Sequence, residues 1–352
     1  MSGHKIRLLE EADDADELKR RSAELHRRMV EGTGDSIFPY TVGVFLRIAH
    51  ERLDHLLSGR PDPSFSDDDY RALYSLGHES AHILQLLASG WFFGHVNRVS
   101  RLVMEAVRRD RAGQLDEHWT AQARGLLAAE FALLEERAYS FNVAELLETH
   151  AVCQGVRWAS ATDEPDELLW LAERFSAGSP LYLRLLHISA EHHGHRFAVE
   201  LLPRLCLLAL GMQDPRVAFA HLVARLDAEG GVAEVGGLDA AELCRWAGVD
   251  PDQLALSVRE RQPETVTGNL WFETMLVSYL DAYEQFGDTS ARLNAVFGFD
   301  RAAIRSPAFQ PWFAVFGDGV VHPLHDPQAD VNRYEGWCRI SLLMLDALEY
   351  LR

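Results

Sequence analysis

Two histidines one helical turn apart, with a carboxylate next to the first, make His78-Glu79-Ser80-Ala81-His82 the segment of this chain best equipped for chemistry. On an α-helix residues i and i+4 share a face, so the imidazoles of His78 and His82 can offer nitrogen ligands to one metal ion. Glu79 stands about 100° further round the helix, within reach of a water on that ion and able to take its proton. The same residues also fit a helix face that merely carries histidines. Their mid-helix position between apolar residues is the context that favours ligation.

The flanking sequence predicts the helix that would carry them. Ser66-Asp67-Asp68-Asp69 supplies an N-cap serine, a carboxylate three residues later and acidic charge in the first turn, and Gly90 follows the last apolar positions. A helix from about 67 to 89 is expected, with Tyr70, Leu73, Leu76, Ile83, Leu84 and Leu87 at helical spacing on its buried side.

A catalytic zinc site takes three protein ligands and keeps a fourth position for water, so a third donor must come from elsewhere. The strongest candidate is Glu148, because Val143 to Gly155 is an apolar helical segment in which a carboxylate needs a partner. A salt bridge from Glu148 to an arginine such as Arg157 is the alternative. With His78, His82 and Glu148 as ligands, Glu79 would be the general base, and His150 or His187 could donate a hydrogen bond to a developing oxyanion.

This arrangement, His78-Glu79-x-x-His82-x-x-Gln85 followed by a helix with Glu148-Thr149-His150-Ala151, resembles the gluzincin-type zinc metalloproteins. The resemblance implies two helical histidines and a later glutamate around one Zn2+, with Glu79 activating water to hydrolyse an amide, peptide or related acyl bond of a small-molecule or peptide substrate. A second resemblance uses the same helix differently. Glu51, Glu79, His82, Glu148 or Glu145, then His187, Glu191 and His195 follow an order similar to that of the ferritin-like diiron N-oxygenases, which implies two Fe and oxygenation of a small molecule. A third possibility is a helical interaction protein without metal.

The formal charge of −19 argues against nucleic acid and anionic membrane surfaces as partners, since both would be repelled over most of the surface. No apolar leader opens the sequence and no apolar run is long enough to span a bilayer, so a cytoplasmic location is expected. The four cysteines, Cys153, Cys206, Cys244 and Cys338, include no Cys-x-x-Cys pair, and packing is their expected role.

Periodicity elsewhere predicts an all-α, multi-helix bundle with the metal between helices. Helices are expected over 5–30, Val42 to Leu57, Trp91 to Arg109, Asp116 to Ala159 with a break near Tyr139 to Asn142, from Pro165, and over Leu181 to Gly211 with a kink at Pro203. The glycine-dense stretch Gly230 to Gly237 reads as a linker. It divides a helical metal-binding domain, 1–229, from a smaller helical subdomain, 230–352, that covers the site. In the second, two short helices flank Gly248 to Pro251, longer ones span Leu270 to Phe286 and Glu335 to Tyr350, and Ser306 to Asp326 reads as a proline-rich surface loop containing His322.

Overall fold

A computed structural model describes residues 43–46, 48–57, 64–137, 139–176, 180–229, 231–259, 270–297, 309–318, 320–324 and 331–352. The helix expected over 5–30 lies outside them. The chain is mainly α-helical, with one small sheet among the described residues.

Strand β1 (Gly43–Leu46) and a short 3-10 turn (His50–Arg52) lead into α1 (Leu53–Leu57). The core helices follow in order: α2 (Asp67–Ala88), α3 (Gly90–Arg111), α4 (Glu117–Glu135), α5 (Val143–Ala159), α6 (Pro165–Ser176) and α7 (Pro180–His193). A π-helical turn (Phe197–Leu201) then enters α8 (Leu202–Leu210). Shorter helices α9 (Pro215–Glu229), α10 (Val232–Gly236), α11 (Ala240–Trp246) and α12 (Pro251–Arg259) precede α13 (Leu270–Glu284) and α14 (Thr289–Phe297). Strands β2 (Phe313–Phe316) and β3 (Val321–Pro323) and the helix α15 (Val331–Leu351) complete the fold.

Helix α2 begins as its sequence requires. The Ser66 hydroxyl accepts from the Asp69 backbone and the Asp69 carboxylate accepts from the Ser66 N–H, closing a capping box. Arg52 then donates to Asp69 at 3.2 Å, tying the preceding segment to this cap. From Ser80 to Ala88 every residue is buried, so α2 is enclosed on all sides rather than along one stripe. It packs on α3, α5, α8, α14 and β1, and its contact with α5 is the most extensive between described elements. Helix α5 starts at a second capping box, between Asn142 and Glu145. Glu145, itself 1% exposed, also accepts from Arg137 and from Arg184 of α7, so its charge is matched from two sides.

Several local expectations give way to longer-range pairing. Residues 43–46 form β1 rather than the start of a helix: Gly43-Val44-Phe45-Leu46 pairs in parallel with Phe313 to Phe316, and β2 pairs antiparallel with β3. The sheet order β1-β2-β3 therefore gives the expected loop from 306 to 326 two strands, with His322 on β3. The stretch 181–211 breaks at Gly194, whose φ is +88°, before Pro203 is reached. The π turn absorbs the proline's missing N–H. Leu202 donates five residues back to Phe197, while Arg157 of α5 donates to the Val199 carbonyl, which Pro203 cannot serve. The glycine-dense stretch 230–237 contains α10 and is not simply a linker.

The boundary placed at residue 230 is crossed by the β1–β2 pairing and by the packing of α15 on α3. Among the described residues no helix is long and apolar enough to cross a membrane.

Candidate metal centre

The contact between α2 and α5 is close because each helix presents a glycine where the other is bulky. A Cβ on Gly77 would stand 2.6 Å from the Trp158 ring, and one on Gly155 would stand 2.8 Å from the Tyr74 ring and backbone oxygen. With those side chains absent, the next turn of α2 brings His78 and His82 opposite Glu148 of α5. One ligand atom from each of the three lies within 4.8 Å of the others, and His78 Nε2 is 3.2 Å from a Glu148 carboxylate oxygen. Two ligands held about 2.05 Å from a tetrahedral zinc are separated by roughly 3.3 Å, so this pair already has the spacing of one edge of such a site. The rings of His78 and His82 stand nearly perpendicular, at 82° with centroids 5.1 Å apart. Among the described residues no other trio of histidine, cysteine or carboxylate side chains converges in this way.

Outer contacts hold each ring. His78 Nδ1 faces the Tyr74 hydroxyl at 3.5 Å, that hydroxyl is bonded to Ser176 of α6 at 2.8 Å, and Tyr182 of α7 packs against the His78 ring. The other histidine is held more tightly, with His82 Nδ1 at 2.7 Å from Gln85 Oε1. The Gln85 amide nitrogen lies 2.7 Å from the Leu147 carbonyl and 2.9 Å from His150 Nδ1. Metal-ligating histidines are commonly oriented by such a bond at the second ring nitrogen.

Burial keeps these imidazoles neutral, the form that ligates. It lowers His78 below the ordinary histidine value, against the opposing charge of Glu79. It lowers His82 to about 4, partly offset by Glu148, and lowers His150 to about 3, helped by the neighbouring His82 and His78. The Tyr74 hydroxyl is pushed up by burial and so stays protonated, able to donate to Ser176 while its oxygen accepts from His78 Nδ1. Glu79 is half-buried, near enough for its charge to act on both His78 and Tyr74.

The structure thus brings together His78, His82 and Glu148, with Glu79 next to His78 along α2 and His150 behind Gln85. The remaining residues of the diiron order, Glu51, His187, Glu191 and His195, are not part of this group. Glu51 is exposed in the 3-10 turn, His187 is 3.2 Å from Glu173 and Glu191 is exposed. His195 pairs with Asp166 at 2.7 Å, and the break at Gly194 takes it off the α7 face shared by His187 and Glu191. Glu145 serves the α5 cap, and Arg157, the alternative partner for Glu148, serves the Val199 carbonyl and Asp163. Cys153 packs in the core, its thiol directed at the Ala198 carbonyl.

Three residues that matter here carried no assigned role in the sequence: Tyr74, Gln85 and Ser176. Two stood in plain view, since Tyr74 precedes His78 by one turn and Gln85 follows His82 by three residues. Compared with protein-family models, curated proteins and solved structures, the chain has no significant match.

Proposed function

We propose that this chain is a zinc-dependent hydrolase of an amide, peptide or related acyl bond, with His78, His82 and Glu148 as ligands and Glu79 as general base. The observation that carries the reading is the convergence of two imidazoles and one carboxylate, from helices distant in sequence, within 4.8 Å of one another. Two neutral nitrogens and one anionic oxygen suit zinc, and three protein ligands leave a position for water. Bound there, zinc would lower the pKa of water to about 7 and polarise a substrate carbonyl.

The rest of the chemistry falls to the chain's own side chains. Glu79 adjoins His78 on α2 and accepts the proton of the attacking water, then delivers it to the leaving group. Tyr74, kept protonated, orients His78. The buried walls from α2 and α5 exclude bulk water behind the ligands. The substrate is a small molecule or a peptide.

Glu79→Gln keeps the shape of the side chain and removes the base, so it separates binding from turnover. Zinc content should match wild type while hydrolysis of a panel of chromogenic amide and ester substrates falls by roughly 100-fold or more. Undiminished hydrolysis by the variant would remove Glu79 from the mechanism.

A further inference from the structure

A backbone carbonyl settles which nitrogen carries the proton in two of the three histidines of the centre. Leu147 O has only lone pairs to offer, so the Gln85 atom 2.7 Å from it must be the amide nitrogen. With the amide reversed, two carbonyl oxygens would face each other at that distance in a fully buried place. The orientation of Gln85 then fixes both rings it touches. Its oxygen faces His82 Nδ1 at 2.7 Å, so that nitrogen bears the hydrogen and the lone pair of His82 sits on Nε2. Its second amide hydrogen faces His150 Nδ1 at 2.9 Å, so that nitrogen is an acceptor and the His150 hydrogen sits on Nε2.

We propose that Gln85 is a positioning residue that sorts the histidines of the centre, presenting His82 through a lone pair as a ligand and His150 through an N–H as a hydrogen-bond donor. The sorting agrees with the geometry, in which His150 lies outside the converging trio although it is within electrostatic reach of His78 and His82. As a donor, His150 serves substrate or an oxyanion instead of the metal. The assignment of His150 to substrate rests on the hydrolase reading; the tautomers do not.

Gln85→Glu and Gln85→Leu separate positioning from packing. The glutamate still accepts from His82 Nδ1, but it lacks the two amide hydrogens that serve the Leu147 carbonyl and His150 together, so His150 Nδ1 loses its fixed donor. Leucine fills the space and directs neither ring.

The test is long-range proton–nitrogen correlation of the full-length, metal-free protein labelled with nitrogen-15 in histidine, with chelator competition for zinc alongside. Wild type should show His82 protonated on Nδ1 and His150 on Nε2. Gln85→Glu should keep the first and release the second from its single tautomer, and Gln85→Leu should mix the tautomers of both and weaken zinc binding by about 10-fold to 100-fold. Wild-type spectra with His82 protonated on Nε2, or His150 on Nδ1, overturn the proposal whether or not either variant folds. So does a folded Gln85→Leu with unchanged tautomers. Wild type with the expected tautomers but no zinc uptake supports the sorting and removes the hydrolase reading.

Discussion

Burial sets the charge of a histidine even far from the candidate centre, and His95 on α3 isolates the effect. Its ring is fully buried, stacks on Trp91, meets Phe131 edge-on and places Nδ1 3.1 Å from Glu130, which also holds Arg98. Burial outweighs the pull of Glu130 and lowers His95 to about 4, so the neutral ring donates to the carboxylate. A histidine held below its unfolded value binds its proton later in the folded chain than in the unfolded one. Stability from His95 is therefore full above pH 6.5 and is lost as pH falls from there through about 4. Urea unfolding of wild type and His95→Gln should show a wild-type advantage that shrinks by up to about 3 kcal/mol across this window and is flat above it. A pH-independent difference would mean that the ring titrates normally in the fold. At this scale the sequence was informative where chemistry is local: His78, Glu79 and His82 are a spacing, and Glu148 stands out as a carboxylate in an apolar helix. The bond of Gln85 to His82 is local, but its link to Leu147 and His150 was hidden because they are 62 and 65 residues away.

Two helices carry the centre, and their separation is set by residues that do no chemistry. Gly77 and Gly155 let α2 and α5 approach, so alanine at either position must push the helices apart or displace Trp158 or Tyr74. Gly77→Ala and Gly155→Ala are each expected to lower stability by about 1–3 kcal/mol and to weaken zinc binding together with it. Gly125 is the internal control, exposed in the middle of α4 with nothing near its missing Cβ. Gly125→Ala should raise stability by about 1 kcal/mol, since only helix propensity changes. Denaturant midpoints decide both, and a shared sign across the three variants would contradict this account of the helix contact. Helix α2 and its ends could be read from Ser66, Asp69 and Gly90 because capping is encoded within a few residues. The break at Gly194 could not be placed beforehand, because Pro203 looked the stronger interruption and the π turn that accommodates it depends on Arg157 from another helix.

Across the whole molecule, the small sheet and α15 bind segments that the sequence seemed to separate. Strand β1 finds its partner only at Phe313 to Phe316, and four-residue strands with so distant a partner leave no periodic signal strong enough to outweigh a helical reading of 42–57. A chain ending at residue 229 would lose both the partner of β1 and the α15 cover of α3, exposing core residues such as Val44 and Leu46. Such a fragment should lack a cooperative thermal transition, and a fragment melting as sharply as the full chain would support 1–229 as an independent domain. The central claim concerns one ion held between α2 and α5. Elemental analysis of the purified full-length protein, beside His82→Ala and Glu148→Ala, tests it most directly. The expected result is about one zinc per chain in wild type, with metal lost from both folded variants. Wild type that takes up no zinc when it is supplied, two metal ions per chain, or variants that retain a full complement would contradict it.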